Sequence, residues 1–400
     1  MREGWKEVKL GEIINIKHGY GFKGEFFSDE ETENILLTPG NFNIGGGFKA
    51  DKLKYYAGPI NENFILNEND VIVTMTDLSK MADTLGFSAK IPRDSSKKYL
   101  HNQRIGLVEL INNTFDLDFI YWLLRTESYQ RYIAGSAIGA TVKHTSPNKI
   151  YTAKVQVPES KETQRKIAKI LSNYDELIEN NLKRIKILEE MAQQTYEEWF
   201  VRMRFPGYET TKINETTGLP EGWERDLVGN QLDKIKSTTK IKSSEIQKSG
   251  LFPVIDQSRD FIAGFTDDRV AVLRYSNTPY IVFGDHTRVL KLINFDFARG
   301  ADGTQIIKSK NKRMPQHLFY FTLMNIDLSN YHYARHFKYL KDSEIIIPSE
   351  SIANTFEDLV KLNYDIIFNL QSQNQRLREA RDILLPRLMM GLVDVEDIDL

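Results

Sequence analysis

The most constraining feature of this sequence is an internal repeat. A Glu-Gly-Trp tripeptide at 3–5 returns 218 residues later, and Gly11 returns at the same offset. The segment 155–158, which ends in proline, returns 190 residues later, together with the Asn-Tyr-Asp tripeptide at 173–175. Because each offset is constant within its block, the chain reads as one unit used twice, with a shorter middle in the second copy. A length of 400 residues fits such a division into domains.

A long amphipathic helix is predicted after each copy. Apolar residues alternate at spacings of four and three from Ile167 to Trp199 and from Phe356 to Leu388, the heptad pattern of a coiled coil. A helix of about 40 residues is about 60 Å long, so we expect the two helices to pair as an antiparallel rod. The alternative is that each helix packs only on its own domain. Polar residues in the pattern would set the register of a pair: Asn181, Asn363, Asn374 and Arg381.

The regions between these helices have mixed patterns. Short apolar runs bounded by turn residues predict strands, for example at 64–66, 71–73, 105–108, 270–273 and 280–283. A buried helix is predicted in each copy, at 119–124 and 318–323. The predicted fold is therefore α+β, with two globular α/β domains joined by two long antiparallel helices and related by pseudo-repeat symmetry. The predicted segments are a first domain 1–158, a helix 159–205, a linker 206–220, a second domain 221–348, a helix 349–391 and an acidic tail 392–400.

Composition excludes several classes of protein. The chain contains no cysteine, which excludes disulfides, cysteine-ligated zinc, iron–sulfur clusters and a thiol nucleophile. With 41% hydrophobic and 27% charged residues it can bury a core. No stretch of about 18 apolar residues and no apolar N-terminal segment occurs, so we expect a cytoplasmic protein without membrane association.

Motifs for nucleic-acid enzymes are also missing. The sequence has no Gly-Lys dipeptide for a P-loop, no Asn/Asp-Pro-Pro-aromatic segment for adenine methylation and no His-Glu-x-x-His. His332 and His336 have metal-like spacing, but no third ligand is evident. We therefore expect neither a catalytic residue nor a metal site on this chain.

Charge is unevenly distributed. The net charge of −2 does not indicate a protein that coats nucleic acid. Residues 231–344, however, contain 18 Lys and Arg against 12 Asp and Glu, whereas residues 1–158 balance 19 against 19. Local basic clusters in the first copy lie at 17–23, 90–104 and 143–144. Each cluster can equally be an ordinary solvated face.

The order of motifs resembles a known family. The Gly-Trp opening, a strand ending in proline before Glu162-x-Gln164, and a helix that ends near 198–201 and 205–207 all have a counterpart there. A second copy that ends in 384–388 and Gly391 completes the pattern. Together they look like the specificity (S) subunit of a type I restriction-modification system, over essentially the whole chain. The second copy departs from the pattern at 349–352, where Ser-Glu-Ser-Ile replaces the usual helix start.

The resemblance implies a division of labour. The globular units would be target recognition domains, each reading one half of a bipartite site in double-stranded DNA, and the helices would set the gap. Half-sites one turn apart need about 34–36 Å, which a rod of about 60 Å spans. The S subunit would be non-catalytic and carry no cofactor. Two methylation (M) subunits would bind S-adenosylmethionine and methylate adenine at N6, and restriction (R) subunits would use ATP and Mg, in the cytoplasm of a prokaryote.

Candidate residues follow from residue type and neighbourhood within this resemblance. Phosphate contacts are expected from Lys23, Lys143, Lys236, Lys240, Lys242 and Lys338. Base-edge contacts are expected from among His18, Tyr20, Thr76, Arg104, Gln257, His286, Arg288 and Arg335. Partner subunits are expected to dock on the helix ends at Trp199, Phe200, Leu384 and Leu385, although packing at the rod ends explains these residues equally well.

Two other functions remain open at this point. One is a fused restriction-methylation component, similar to a type II enzyme, which the missing motifs disfavour. The other is a coiled-coil adaptor whose globular ends bind only protein, which the basic second copy disfavours mildly.

Overall fold

The computed structural model describes residues 3–77, 79, 81–139, 141–235, 238–301, 303–330 and 335–398. These residues form two compact units. Unit 1 comprises 1–179 with 374–400, and unit 2 comprises 180–373. Both boundaries lie inside the long helices, so the structure groups the chain differently from the predicted segments. The physical reason is that half of each helix contributes side chains to the core of a unit.

Unit 1 contains a globular part with short strands and three helices. Its strands are β1 Trp5–Lys9, β2 Ile14–His18, β3 Phe27–Ser28, β4 Asn34–Leu36, β5 Lys54–Tyr56, β6 Ile65–Leu66, β7 Val71–Thr74, β8 Thr76–Asp77, β9 Ser88–Lys90, β10 Lys98–Leu100, β11 Ile105–Leu110, β12 Lys143–His144 and β13 Lys154–Pro158. Its helices are α1 Leu117–Leu123, α2 Glu127–Gly135 and α3 Pro147–Tyr151. The strands form two larger sheets, in the orders β3-β5-β4-β10-β6 and β2-β11-β7-β9, and two strand pairs, β1-β13 and β8-β12.

The long helix α4, Lys161–Tyr196, begins in unit 1, continues into unit 2 and ends in a π-helical turn, Glu197–Val201. Unit 2 then repeats the plan of unit 1 with fewer strands. Its strands are β14 Glu224–Leu227, β15 Phe252–Ile255, β16 Gly264–Thr266, β17 Val272–Leu273, β18 Tyr280–Gly284, β19 Leu290–Ile293, β20 Phe297–Arg299, β21 Thr304–Ile307 and β22 Glu344–Ile347. Its helices are α5 Val228–Gln231, α6 Gln316–Met324 and α7 His336–Asp342. The sheets have the orders β16-β15-β20-β17, β19-β18-β21 and β14-β22. The last helix, α8 Glu350–Met389, begins in unit 2 and ends in unit 1.

The sequence repeat is a structural repeat. In unit 1 the strand that opens with Trp5 pairs antiparallel with the strand that ends in Pro158. In unit 2 the strand after Trp223 pairs in the same sense with β22, which precedes Pro348. The glycine before each tryptophan has a positive φ, 75° at Gly4 and 81° at Gly222, a conformation that glycine adopts without steric cost.

The two long helices pack antiparallel within each unit. In unit 1, Ile167 and Leu171 of α4 share a core with Leu388 of α8. In unit 2, the ring of Tyr196 lies 6.1 Å from that of Phe356, and Ile185 shares the same core. The heptad prediction is confirmed for most positions, since Ile178, Val360, Ile367 and Leu370 are among the buried residues.

The heptad prediction is wrong at the end of α4. The spacing of four and three places Thr195 and Trp199 at the packing positions, but Tyr196 and Phe200 are the buried residues. The steps from Ala192 to Tyr196 and from Tyr196 to Phe200 are four residues each, and the π-helical turn begins at Glu197. The ring of Tyr196 stacks on that of Phe321 at 5.9 Å, so aromatic packing overrides the heptad here.

Two smaller predictions also need correction. Residues 269–271 form a 3-10 turn, so the strand expected at 270–273 is reduced to β17. The segment expected to be a linker folds into an ordered turn, in which the Asn214 side chain accepts from the backbone N–H groups of Thr216 and Thr217.

In each unit a single polar side chain binds the carbonyl of the proline at the end of the closing strand. In unit 1, the buried Gln164 amide donates to the Pro158 carbonyl (2.9 Å) and accepts from the Asp116 N–H (2.9 Å) at the start of α1. In unit 2, where the Glu-x-Gln start is missing, Arg313 donates instead to the carbonyls of Pro348 (2.7 Å) and Gly222 (2.7 Å). The carbonyl of this proline therefore accepts from a side chain in both units, but Gln164 also contacts the start of α1, whereas Arg313 contacts Gly222.

Candidate nucleic-acid interface

In unit 1, four chain segments meet around the candidate residues. The N–H of Tyr20 donates to the His101 carbonyl (2.8 Å), and the N–H of Gln103 donates back to Tyr20 (3.0 Å). The N–H of Met75 donates to the Arg104 carbonyl (3.0 Å), and the N–H of Thr145 donates to the Met75 carbonyl (3.0 Å). These backbone bonds bring the loop after β2, the turn before β11, and the strand pair β8-β12 into one neighbourhood.

The side chains of this neighbourhood differ in accessibility. His18, Tyr20 and Arg104 are exposed, and Lys143 is half-buried. Thr76 is only 4% exposed, and its hydroxyl lies 3.2 Å from Nδ1 of His144. Thr76 is therefore poorly placed for the predicted contact with a base edge, because its hydroxyl is buried against the imidazole. His144 is the exposed member of the pair.

Asp77 holds the end of this strand pair. Its carboxylate accepts from the N–H of Ser79 (2.6 Å) and from both the N–H (2.6 Å) and the hydroxyl (2.8 Å) of Thr84. Burial tends to raise the pKa of the Asp77 carboxyl, but the hydrogen bonds outweigh it and hold that pKa below its ordinary value. Asp77 pairs with Lys143 across β8-β12. A carboxylate with these donors is a structural anchor for the loop.

Lys23 lies beside an aromatic cluster at the edge of the same unit. The rings of Tyr20 and Phe22 are 5.2 Å apart, and Phe22 contacts Tyr56 at 5.0 Å. The Lys23 ammonium is 72% exposed and lies 3.6 Å from the Glu25 carboxylate. An exposed pair of this kind contributes little to stability, so Lys23 remains accessible to a phosphate.

In unit 2, the structure brings Gln257 and His286 together. The N–H of His286 donates to Oε1 of Gln257 (3.1 Å), and the hydroxyl of Thr287 donates to the Gln257 carbonyl (2.6 Å). Arg288 belongs to the same loop and donates to the Leu328 carbonyl (3.2 Å). The side chains of His286 and Arg288 are exposed, and Gln257 is half-buried.

The start of α7 is joined to this loop. The N–H of His336 donates to the Asp285 carbonyl (2.9 Å), and the N–H of Phe337 donates to its carboxylate (2.8 Å). Arg335 and Lys338 are exposed at this end of α7. They therefore share a neighbourhood with His286, which their separation in sequence does not indicate.

Two further lysines flank a neighbouring segment of unit 2. Lys240 and Lys242 are exposed on either side of Ile241, whose N–H donates to the Arg299 carbonyl (2.9 Å). The N–H of Gly300, the residue after Arg299, donates to the carbonyl of Ile255 (2.8 Å), which precedes Gln257 by two residues. Lys236 lies outside the described residues, as does His332.

The docking candidates at the helix ends are packed inside their own units. Phe200 is 6% exposed and contacts Phe356 at 5.1 Å, and the half-buried Trp199 contacts the same ring at 5.9 Å. Leu384 and Leu385 are half-buried against the core of unit 1. The ring of Phe200 fills the core of unit 2, which favours the alternative that this residue packs at the rod end.

The sequence analysis missed residues that hold the loops in place and do not themselves face a ligand. Lys291 is 4% exposed and donates to the carbonyls of Asp256 (2.9 Å) and Asp260 (2.5 Å). Its only sequence signal is a charge inside the apolar strand β19, which is unusual for a buried strand. Over the described ranges, no group of three or more His, Asp or Glu side chains is arranged to hold a metal ion, and no helix is long and apolar enough to cross a membrane.

Comparison with known proteins gives a consistent result. Residues 2–190 match the family model of the type I restriction modification DNA specificity domain. The chain is 26% identical over 304 residues to the MjaIX specificity subunit of a type I restriction enzyme from Methanocaldococcus jannaschii, with 70% of each chain covered. It is 24% identical over 249 residues to the MjaVIII specificity subunit from the same organism, which covers 62% of this chain and 54% of that one.

A solved structure supports the fold. The crystal structure of a type I restriction-modification S subunit from M. genitalium superimposes with a TM-score of 0.59, at 18% identity, over 96% of each chain. At that identity the likeness concerns the fold alone. By its sequence matches and its repeated α+β architecture, the chain is similar to the specificity subunits of type I restriction-modification systems.

Proposed function

We propose that the chain is the DNA-reading component of a type I restriction-modification complex, and that each unit reads one half of a bipartite site. The main support is that each unit gathers exposed cationic and hydrogen-bonding side chains on loops at one neighbourhood. In unit 1 these include Tyr20 and Arg104, and in unit 2 they include His286 and Arg288. Loops held by a sheet are the usual carriers of binding residues.

The proposed interface uses two kinds of contact. Exposed lysines such as Lys23, Lys242 and Lys338 would neutralise phosphates, which fixes position without sequence information. Side chains with several donors or acceptors, such as Arg104 and Gln257, would read base edges. The long helices would set the gap between half-sites, and their exposed faces would carry methylation subunits. Chemistry, S-adenosylmethionine and ATP would belong to those methylation subunits and to restriction subunits, in the cytoplasm of a prokaryote.

The test is to map methylated adenines across the genome of the source organism, with and without this gene. We expect a bipartite motif with a constant gap that is methylated in the wild type and unmethylated in the deletion strain. A complementing copy should restore it. An unchanged methylation map would refute the proposal, and a lost motif without a gap would refute the division into halves.

A further inference from the structure

The buried ammonium group of Lys291 holds the loop between β15 and β16 in place. The Lys291 ammonium donates to the carbonyls of Asp256 and Asp260, at opposite ends of the turn, and lies 3.9 Å from Oδ1 of Asp256. Burial lowers the pKa of this lysine, and the nearby carboxyl groups of Asp256 and Asp260 act against that shift. A buried ammonium is costly unless it is paired and hydrogen-bonded, so these contacts define the loop conformation.

Lys291 is placed so that it cannot contact DNA itself. Its side chain is 3% exposed, and its ammonium is directed at main-chain oxygens of the loop. A phosphate-binding lysine needs an accessible ammonium. Lys291 therefore acts on any ligand of unit 2 only through the loop it holds.

The loop in turn fixes the amide of Gln257. Oε1 accepts a hydrogen bond from the N–H of His286, and this contact determines which end of the amide is the oxygen. The Gln257 main-chain carbonyl accepts a hydrogen bond from the Thr287 hydroxyl. Among the residues that the structure describes, Nε2 of Gln257 has no hydrogen-bond partner. The amide thus presents a free donor beside an oxygen with one lone pair left.

This donor and acceptor pair matches one base edge. In the major groove adenine offers N7 as an acceptor next to its N6 amino donor, whereas guanine offers two acceptors and cytosine a donor alone. A glutamine amide binds adenine by donating to N7 and accepting from N6. Because the oxygen of Gln257 is already oriented by a backbone N–H, little side-chain freedom remains to be lost on binding.

We propose that Gln257 reads an A·T pair through the adenine edge, and that Lys291 is the positioning residue that holds it ready. This inference rests on the proposed function, because it names the base read by one side chain of that same interface. It adds a residue with no DNA contact to the determinants of specificity.

The test selects binding sites from a randomised duplex library with the full chain assembled with its methylation subunits. Wild type is compared with Gln257→Ala, Lys291→Met and Thr287→Val, and with Lys248→Met as a control for the loss of an exposed lysine from unit 2. We expect Gln257→Ala to lower discrimination at one A·T position by about 5- to 150-fold. Lys291→Met and Thr287→Val should relax the same position, leave the rest of the motif intact and leave the salt dependence of binding unchanged. Lys248→Met should keep the motif.

The outcomes separate this inference from the function on which it rests. If wild type selects no motif, the proposed function fails. If wild type selects a motif but Gln257→Ala relaxes a G·C position or none, the adenine assignment is overturned. If Lys291→Met and Thr287→Val weaken all positions equally or relax a different one, the positioning role is overturned. Should Lys291→Met fail to fold by circular dichroism, Lys291→Gln replaces it with the same expected result, because Thr287→Val removes only the bond of the Thr287 hydroxyl to the Gln257 carbonyl.

Discussion

A partly buried ion network around Asp175 in unit 1 gives the sharpest stability prediction. Asp175 of α4 accepts from Arg125 (2.8 Å), which follows α1, and from Arg381 of α8. The side chains of the two arginines are 4% and 15% exposed, and that of Asp175 is 32% exposed. Because Asp175 lies between two largely buried arginines, its removal leaves both guanidinium groups without their shared carboxylate.

The magnitude follows from the contacts. Hydrogen bonds to charged groups contribute about 1.5–3 kcal/mol each, and the breaking of a buried ion pair costs about 3–5 kcal/mol. Arg125 keeps its bonds to the Gly45 carbonyl (3.0 Å) and the Tyr121 hydroxyl (2.6 Å), and Arg381 keeps Asp382. With these remaining partners and the partial exposure of Asp175, we expect Asp175→Ala to lower the stability of unit 1 by about 3 kcal/mol.

The repeat supplies a matched control. Asp365 is the counterpart of Asp175 in the second Asn-Tyr-Asp, is exposed, and forms no ion pair with any described residue. Asp365→Ala should therefore change stability by less than about 0.5 kcal/mol. Hydrogen exchange with mass spectrometry measures both variants, because it reports the opening free energy of each segment. Protection should fall in α1 and in 161–179, and unit 2 should be unaffected. An equal loss in the two variants, or a loss below about 1 kcal/mol for Asp175→Ala, would contradict the reasoning.

Three further changes test the site and the core. Gly303→Ala places a methyl group 2.7 Å from Oε1 of Gln257 and 2.8 Å from Cδ2 of His286, so the affinity for cognate DNA should fall by about 10-fold. The control is Gly218→Ala, which has a similar left-handed φ but open space around the new methyl group and should leave DNA binding unchanged. Equal effects of the two variants in a DNA titration would indicate backbone strain alone. Burial lowers the pKa of His101, so the unfolded chain binds a proton at a higher pH than the folded chain, and stability falls as the pH drops below about 6.5. His101→Gln should have a smaller loss between pH 7.5 and 5.5 in urea unfolding, and an unchanged slope would exclude this origin. Phe200→Ala should destabilise unit 2 by about 3–5 kcal/mol in the same assay, whereas a stable variant that fails only to bind methylation subunits would support the docking prediction.

The architecture could be predicted because the repeat and the heptads are visible in the sequence alone. The Gly-Trp openings mark strands that pair with the strands ending at Pro158 and Pro348, and the constant offsets reveal the repeat before any element is assigned. The heptads predict both long helices because the 3.5-residue period is sustained over many turns. The prediction fails at Tyr196, where ring stacking against Phe321 decides which residue is buried.

The candidate interface was predictable only in part. Residue type identifies Gln257, His286 and Arg335 as candidates, but their proximity depends on bonds between loops that are far apart in sequence. Burial also cannot be read from residue type, as Thr76 shows: a short polar residue in a strand is equally suited to a base edge and to a buried bond with His144. Lys291 was missed because its role depends on main-chain oxygens, which carry no sequence signal.

The most direct test of the central claim compares one exposed arginine from each unit. Arg104→Ala in unit 1 and Arg288→Ala in unit 2 are each assembled with the methylation subunits, and the sites they methylate are sequenced. If each unit reads its own half-site, each variant should relax positions in one half only, the two variants should affect opposite halves, and the gap should stay constant. Relaxation of the same half by both variants, or of both halves by either one, would contradict the assignment of one half-site to each unit.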